Sequence, residues 1–370
     1  MYLKFKQFIT EGGNIRVKSK EGKEVGAEDI DLNKQDRSAF KQDFKGSMSA
    51  LNSHVRSKTG SHLFGNAGNI KTGSIFAGST KDFMRDDISD EEYKKYKPTV
   101  GDMDLMYDRQ HKEKMEQLLE PGKKFGKFTL VGTKKHGSQI SAIMRHDEHG
   151  THHQVDFEPS DYQKEQPNEF AQFSHSSNWN DTKTGVKGIF HKQFLSALTA
   201  AHGTFGTVRT KKGDADKFLE KHTFSIDKGL REKHQQVDTH PTTGHPIVTE
   251  VQPKDATYTN SVHDIYHHLL GKPPKVQSDL QQFGSFHGAM ALAKQHLSPE
   301  QHGRVIDKFI HTLYHPDRAQ MMSTDRSKDE AAKDRALGFV RQQFPEHFSD
   351  GMRNSEIANM KKQFYEQKAK

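Results

Sequence analysis

Val100-Gly101-Asp102-Met103-Asp104-Leu105-Met106-Tyr107 sets two carboxylates two residues apart inside a short apolar run. Successive residues of a strand point to opposite faces, so as a strand this run presents Asp102 and Asp104 on one side of a sheet. A second strand-like run, Gln154-Val155-Asp156-Phe157-Glu158, offers a third acid, and Ala77-Gly78-Ser79-Thr80 precedes the pair with a glycine turn. Three carboxylates brought together raise one another's pKa unless a cation compensates. Hard oxygen ligands around one or two Mg²⁺ (or Mn²⁺) ions resolve that conflict, with phosphates as the natural remaining ligands. Gly78 has access to backbone shapes closed to other residues. The amides of Gly78, Ser79 and Thr80, at the start of a helix or turn, would face phosphate oxygens.

The order Gly-Ser, then Asp-x-Asp on a strand, then a lone Asp on a later strand resembles the polymerase-beta-type nucleotidyltransferase superfamily. The resemblance spans roughly the first half of the chain. It implies an α+β fold: a polymerase-beta-like nucleotidyltransferase sheet with flanking helices, followed here by an all-helical accessory domain. It implies that Asp102, Asp104 and Asp156 are the catalytic and metal-binding acids, with Asp156 helping to activate the attacking group. Gly78, Ser79 and Thr80 would hold the triphosphate of ATP or another nucleoside triphosphate. In such enzymes a lysine on the helix after the catalytic sheet often meets the triphosphate, which makes Lys187 and Lys192 candidates; the plain alternative for each is a solvated lysine. The reaction implied moves a nucleoside monophosphate onto a hydroxyl and releases pyrophosphate. The acceptor stays open among an RNA 3′ end, a protein side chain and a small molecule. Between Ser79 and Asp102 the gap is longer than in the family, and its acidic, lysine-rich piece, residues 86–97, reads as an inserted loop or helical turn.

The 370 residues suffice for two domains. Hydrophobic residues make up 31% and charged ones 28%, a polar mixture whose apolar positions are nonetheless periodic, which argues against wholesale disorder. A formal charge of +7 favours a polyanionic partner such as nucleic acid. With no cysteine, disulfides, zinc–thiolate sites and thiol nucleophiles are excluded. The 24 histidines are scattered without a His-Glu-x-x-His spacing and read mostly as surface or nucleic-acid-facing groups. No apolar run approaches the ~20 residues needed to cross a bilayer.

Met1-Tyr2-Leu3-Lys4-Phe5-Lys6-Gln7-Phe8-Ile9-Thr10-Glu11 lacks the apolar core of a secretory signal. It resembles the capsid-targeting leader of internal head proteins of T4-like phages, cut by the prohead protease after a hydrophobic-x-Glu triplet, here Ile9-Thr10-Glu11. That resemblance implies a phage origin, a cut before Gly12, and the prohead and its protease as partners. It puts the protein in the cytoplasm of the infected bacterium or packaged in the phage head. The plain alternative is an amphipathic segment that docks on the domain.

The rest divides into a nucleotidyltransferase domain over residues 12–215, a connecting region over 216–257 and a helical accessory domain over 258–370. Phe40, Phe44, Met48, Leu51 and Val55 predict a helix from Asp36 to Gly60. Residues 70–77 read as a short strand delivering the Gly-Ser turn. Residues 110–119 read as helical; 128–133, 138–145 and 152–158 read as three strands, with a polar hairpin tip at 146–151. Residues 160–185 read as a long polar loop in which Trp179 or Phe173 either stacks a base beside the site or, for Trp179, plugs a gap. A buried helix begins at Gly188. Short strands are expected over 205–210, 223–226 and 247–251, with a charged turn over 211–216. The His-Pro-Gly-rich residues 240–246 mark a boundary, and everything after Asn260 reads as helix.

Two other classes compete. A noncatalytic nucleic-acid-binding or head-internal protein with a nucleotidyltransferase-like fold has no reason to keep three acids aimed at one point. A metal-dependent phosphohydrolase needs more histidines and acids around its metals than Asp102, Asp104 and Asp156 supply.

Overall fold

The computed structural model describes residues 15–136, 139–174, 178–210, 213–225, 229–239, 246–251, 259–315, 319, 321 and 325–368; for 204–219, 225, 234–239 and 246–251 this means the backbone alone. The expected leader and residues 240–245 of the boundary cluster lie outside the described residues. The fold is mixed α+β, with a five-stranded sheet early and a helical C-terminal region. It divides into two compact units: the first runs to Gly185 and also includes Asp325, and the second takes the rest of the chain from Val186.

The first unit opens with β1 (Arg16–Lys18), β2 (Glu24–Gly26) and β3 (Ile30–Asp31), then α1 (Arg37–Thr59), α2 (Gly68–Thr72), α3 (Gly78–Met84) and α4 (Asp90–Tyr96). β4 (Thr99–Val100) leads into β5 (Asp102–Asp108), which carries the paired acids, and a 3-10 turn, Arg109–Lys114, runs into α5 (Met115–Leu118). β6 (Lys124–Phe125), β7 (Phe128–His136), β8 (Gln139–His146) and β9 (His152–Ser160) complete the sheet in the order β5-β9-β8-β7-β6. β5 and β9 run parallel and the other neighbours antiparallel. The hairpin β10 (Tyr162–Gln163) and β11 (Gln166–Pro167) and the helices α6 (Glu169–Ser174) and α7 (Trp179–Lys183) close the unit.

Helix α1 follows its sequence signals closely. The Asp36 carboxylate accepts from the Ala39 N–H at 2.6 Å, and Gly60, at φ +81°, ends the helix by donating to the Arg56 carbonyl. Its stripe of Phe40, Phe44, Met48, Leu51 and Val55 is buried in one cluster with Met103, Leu105, Val155 and Phe157 from one face of the sheet. At roughly 1.5–3 kcal/mol for each large side chain removed from water, this stripe is a main source of the unit's stability.

Alternation then puts Asp102, Asp104 and Asp156 on the opposite face. Part of that face is covered by β1 and β2, through Ile15, Val17 and Ala27 packed on Ile143. Gly132 in β7 permits the crossing, because a Cβ there would stand 2.6 Å from the Lys18 carbonyl oxygen. Farther along β5, Met106 packs on Ala77 and Ala171.

Three expectations need correction. Residues 70–77 are not a strand: Gly73, at φ +79°, ends α2, and only Phe76 bridges to Leu105. Residues 86–97 are no loose insertion. Buried Arg37 donates to the carbonyls of Phe83, Arg85 and Ile88, pairs with Asp90 at 2.8 Å and lies over the Tyr93 ring, which fixes α4 against α1. Residues 160–185 are not one long loop, since they hold the hairpin, α6 and α7. Trp179 is buried and stacks on Tyr93 at 5.3 Å between centroids, with Tyr96 edge-on, so its ring is a core plug and offers no face to a base.

The second unit begins with α8 (Gly188–Leu198), followed by β12 (Thr204–Thr210), β13 (Gly213–Leu219), β14 (His222–Ser225), β15 (Gly229–Glu232), β16 (His234–Thr239) and β17 (Pro246–Val251). The sheet order is β13-β12-β17-β16, and β14 pairs with β15. The charged turn expected over 211–216 is shorter, because pairing resumes at Gly213. Helices α9 (Val262–Leu270), α10 (Gln277–Phe283), α11 (Phe286–His296), α12 (Pro299–Tyr314) and α13 (Arg326–Gln343), a 3-10 turn at Pro345–His347 and α14 (Gly351–Lys368) follow. Ser298 and Gln301 close a reciprocal capping box at the start of α12, with Pro299 at the first helical position. Phe194 of α8 meets Phe286 of α11 and Phe309 of α12 edge to face. That packing puts α8, expected with the sheet, among the helices.

Candidate metal centre

The edge strand β5 is held by the segment before α3. The Met106 N–H donates to the Ile75 carbonyl at 2.7 Å, and the Ala77 N–H donates to the Asp104 carbonyl at 3.0 Å. Gly78 follows at φ +52°, and α3 starts there. The Thr80 hydroxyl, fully buried, accepts the Asp104 N–H at 2.7 Å. Both backbone groups of Asp104 are therefore tied to the first turn of α3. Gly78 is needed for space as well as for φ: a Cβ there would sit 2.3 Å from Asp104 Oδ2.

Across the parallel pair Asp104 lies in register with Asp156, and Asp102 with Gln154. Asp102, Asp104 and Asp156 each offer a carboxylate oxygen within 4.8 Å of the others. Asp102 and Asp104 are half-buried, whereas Asp156 is only 5% exposed. The Ile15 N–H donates to Gln154 Oε1 at 3.0 Å, which turns the Gln154 amide N–H groups toward Asp156. Gln154 Nε2 donates to both oxygens of Asp156, at 3.1 and 3.0 Å.

Burial, and then the charge of Asp102, push the Asp156 carboxyl up to about 7; hydrogen bonds from Ser141 and Gln154 oppose the shift, and Glu158 adds to it. A carboxyl in that position is poised for a cation, which would favour its charged form. Three acid oxygens within mutual reach match the hard-ligand chemistry of Mg²⁺ or Mn²⁺.

The other expected site residues divide. Gly78 and Thr80 are brought to the acids, with Thr80's hydroxyl committed to the backbone of β5, and half-buried Ser79 stands between them. Lys187 caps α8 as an exposed residue and Lys192 lies half-buried in that helix; both belong to the second unit, whereas the acids belong to the first. Gln154 and Glu158 share the acid face with Asp156, as does Ser141, its register partner on β8. Sequence reading passed over them, although the alternation Gln154-x-Asp156-x-Glu158 already put the first two on one side.

A separate cavity of about 450 Å³ lies wholly in the second unit, lined among others by Lys221, His222, His267, His268 and Arg304. Both ring nitrogens of His222 are buried without a hydrogen-bond partner. No family model, curated protein or solved structure matches the chain. No helix among the described residues is long and apolar enough to cross a membrane.

Proposed function

We propose that this protein is a metal-dependent nucleotidyltransferase with a polymerase-beta-like catalytic unit. The observation that carries the proposal is the convergence of Asp102, Asp104 and Asp156 on one face of the sheet. The order of parts supports the fold reading: a glycine turn before a short helix, the Asp-x-Asp strand, and the lone acid on a parallel neighbour. Mg²⁺ or Mn²⁺, when bound, would neutralise the triphosphate and favour ionisation of the attacking hydroxyl.

Asp102, Asp104 and Asp156 would hold the metal, with Asp104 fixed by the Ala77 and Thr80 bonds to its backbone. The acceptor hydroxyl oxygen attacks the α-phosphorus, the bond from that phosphorus to the bridging oxygen breaks, and pyrophosphate leaves. Asp156, oriented by Gln154, takes the hydroxyl proton. The half-buried Ser79 would meet the leaving phosphates. We propose further that the second unit engages the acceptor, its basic cavity suiting a nucleic-acid phosphate, RNA included. The leader over residues 1–11 and its cleavage in a phage prohead remain part of the proposal; mass spectrometry of the protein from purified virions should find an N-terminus at Gly12.

The deciding experiment incubates the protein with each α-³²P-labelled nucleoside triphosphate, Mg²⁺ or Mn²⁺, and RNA, protein or small-molecule fractions of a lysate. Label should enter one fraction with the wild type and none with the Asp102→Ala/Asp104→Ala variant. No transfer with any triphosphate and either metal would leave the noncatalytic reading in its place.

A further inference from the structure

His302, Glu346 and His347 lie far apart in sequence yet each offers a ligand atom within 4.8 Å of the others, all inside the second unit. His302 is 5% exposed, and its Nε2 lies 3.0 Å from the Ala293 carbonyl oxygen. A carbonyl only accepts, so Nε2 carries the proton and Nδ1 keeps its lone pair. Nδ1 is buried and has no hydrogen-bond partner, and the same is true of His347 Nε2. Two buried imidazole nitrogens without hydrogen-bond partners are costly unless something satisfies them.

Neighbouring residues hold these side chains in place. The Phe344 ring packs on the His302 ring at 5.0 Å, and Pro345 starts the 3-10 turn that presents Glu346 and His347. Arg353 donates to the His347 carbonyl at 2.9 Å. Lys294 holds Glu346 Oε1 at 2.6 Å, which leaves the second carboxylate oxygen for a ligand role. A metal-bound histidine characteristically donates its other N–H to a carbonyl or carboxylate, as His302 does to Ala293.

We propose that His302, His347 and Glu346 form a Zn²⁺-type site. Two neutral imidazoles and one carboxylate suit a borderline cation, whereas the all-oxygen set at Asp102, Asp104 and Asp156 suits a hard one. Three protein ligands leave a fourth position for water. The site is independent of the nucleotidyl-transfer reading and stands or falls separately from it.

The test uses tag-free full-length protein carrying Asp102→Ala/Asp104→Ala, so that the acid triad takes up no metal. Calorimetric titration should give one tight Zn²⁺ per chain, and Co²⁺ should produce the strong visible bands of a four-coordinate nitrogen–oxygen set. His302→Gln and His347→Ala, added singly, should each weaken Zn²⁺ binding by at least the ~10–100-fold that outer-shell changes already produce. His347→Ala alters a half-buried turn residue, and an unchanged circular dichroism spectrum without metal would show that it folds. The proposal is overturned if the triad-deleted chain takes up no stoichiometric Zn²⁺, or if folded His347→Ala binds it as tightly.

Discussion

Asp104 and Asp156 are register partners on adjacent parallel strands, whereas Asp102 is paired with Gln154. One of the paired acids thus meets a carboxylate across the ladder and the other meets an amide. The difference matters because Gln154 donates to both oxygens of Asp156. Its amide steadies the buried acid from the same strand, while Asp102 and Glu158 raise its pKa by repulsion. The triad is a locally strained charge arrangement on a well-packed sheet, and its stability should respond to metal more than to the loss of any one acid.

Asp102→Ala/Asp104→Ala should therefore melt at the wild-type temperature or slightly above it when metal is absent, since like charges have been removed. With Mg²⁺ and triphosphate, only the wild type should gain thermal stability, because only it binds the complex in the folded state. A thermal-shift comparison decides the matter. An equal ligand-induced shift in the double variant would remove the proposed site.

The pH dependence has a definite sign. Asp156 has its folded pKa raised from the ordinary 3.8 to about 7, so the folded state holds a proton that the unfolded state has already lost. Its contribution makes metal-free stability fall as pH rises from about 4 to about 7, and flat above that. At roughly 1.4 kcal/mol per unit, the loss amounts to a few kcal/mol. Asp156→Asn should abolish this slope and raise the melting temperature at pH 8 in chelator, while showing little gain at pH 4. Urea melts of both proteins across pH 4–8 read it directly; identical slopes would count against a buried, crowded Asp156.

Much of this centre was legible because alternation is a local property. Asp102 and Asp104 had to share a face once Met103 and Leu105 faced the core, and α1 announced itself through Asp36, its apolar stripe and Gly60. Other parts depended on distant partners. Ile75 and Phe76 looked like strand residues, but Gly73's left-handed backbone confines the pairing to one bridge. Trp179 could stack a base or a neighbour, and only the placement of Tyr93 on α4 decides it. β1 offers a single apolar residue, Val17, between charged ones, too little for a strand signal. His302 is separated from Glu346 and His347 by the whole of α13, so no spacing rule could join them.

In the helical unit, Lys333 and Asp329 form an ion pair at 3.0 Å with both side chains almost fully buried. The Tyr365 hydroxyl donates to Asp329 at 2.8 Å, and the Lys333 ammonium lies 3.9 Å from the Phe364 ring centroid. Lys333→Met alone leaves a buried carboxylate without its cation and should cost about 3–5 kcal/mol. Adding Asp329→Asn should recover much of that loss. Chemical unfolding of the wild type, both single variants and the double variant gives the coupling; additive single and double costs would mean that the pair is not mutually compensated.

If the cavity in the second unit receives acceptor phosphates, exposed Lys221 is one of its cations. Lys221→Gln should weaken binding of a single-stranded RNA oligonucleotide and reduce the slope of log affinity against log salt by about 0.7, the share of one phosphate contact. Fluorescence anisotropy at several salt concentrations measures both. A slope equal to the wild type's would take Lys221 out of the acceptor path, whatever happens to affinity at one salt.

Gly78 and Gly22 make a matched pair for the last test. Both have left-handed backbones, at φ +52° and +77°. A Cβ on Gly22 would meet nothing within 4 Å, whereas one on Gly78 would stand 2.3 Å from Asp104 Oδ2. Alanine at either position therefore carries the left-handed penalty, about 1–2 kcal/mol. Only at Gly78 must something else move, and the flexible partner is the Asp104 carboxylate, because the Asp104 backbone is tied to Ala77 and Thr80. Gly22→Ala should lower the melting temperature by a few degrees and keep the full Mg²⁺-triphosphate shift. Gly78→Ala should lose comparable stability together with most of that shift, since its Asp104 no longer points at the site. Calorimetric Mg²⁺ titration of both variants below their melting range separates instability from misplacement. Wild-type Mg²⁺ affinity in Gly78→Ala would mean that the close approach of α3 to Asp104 is packing alone.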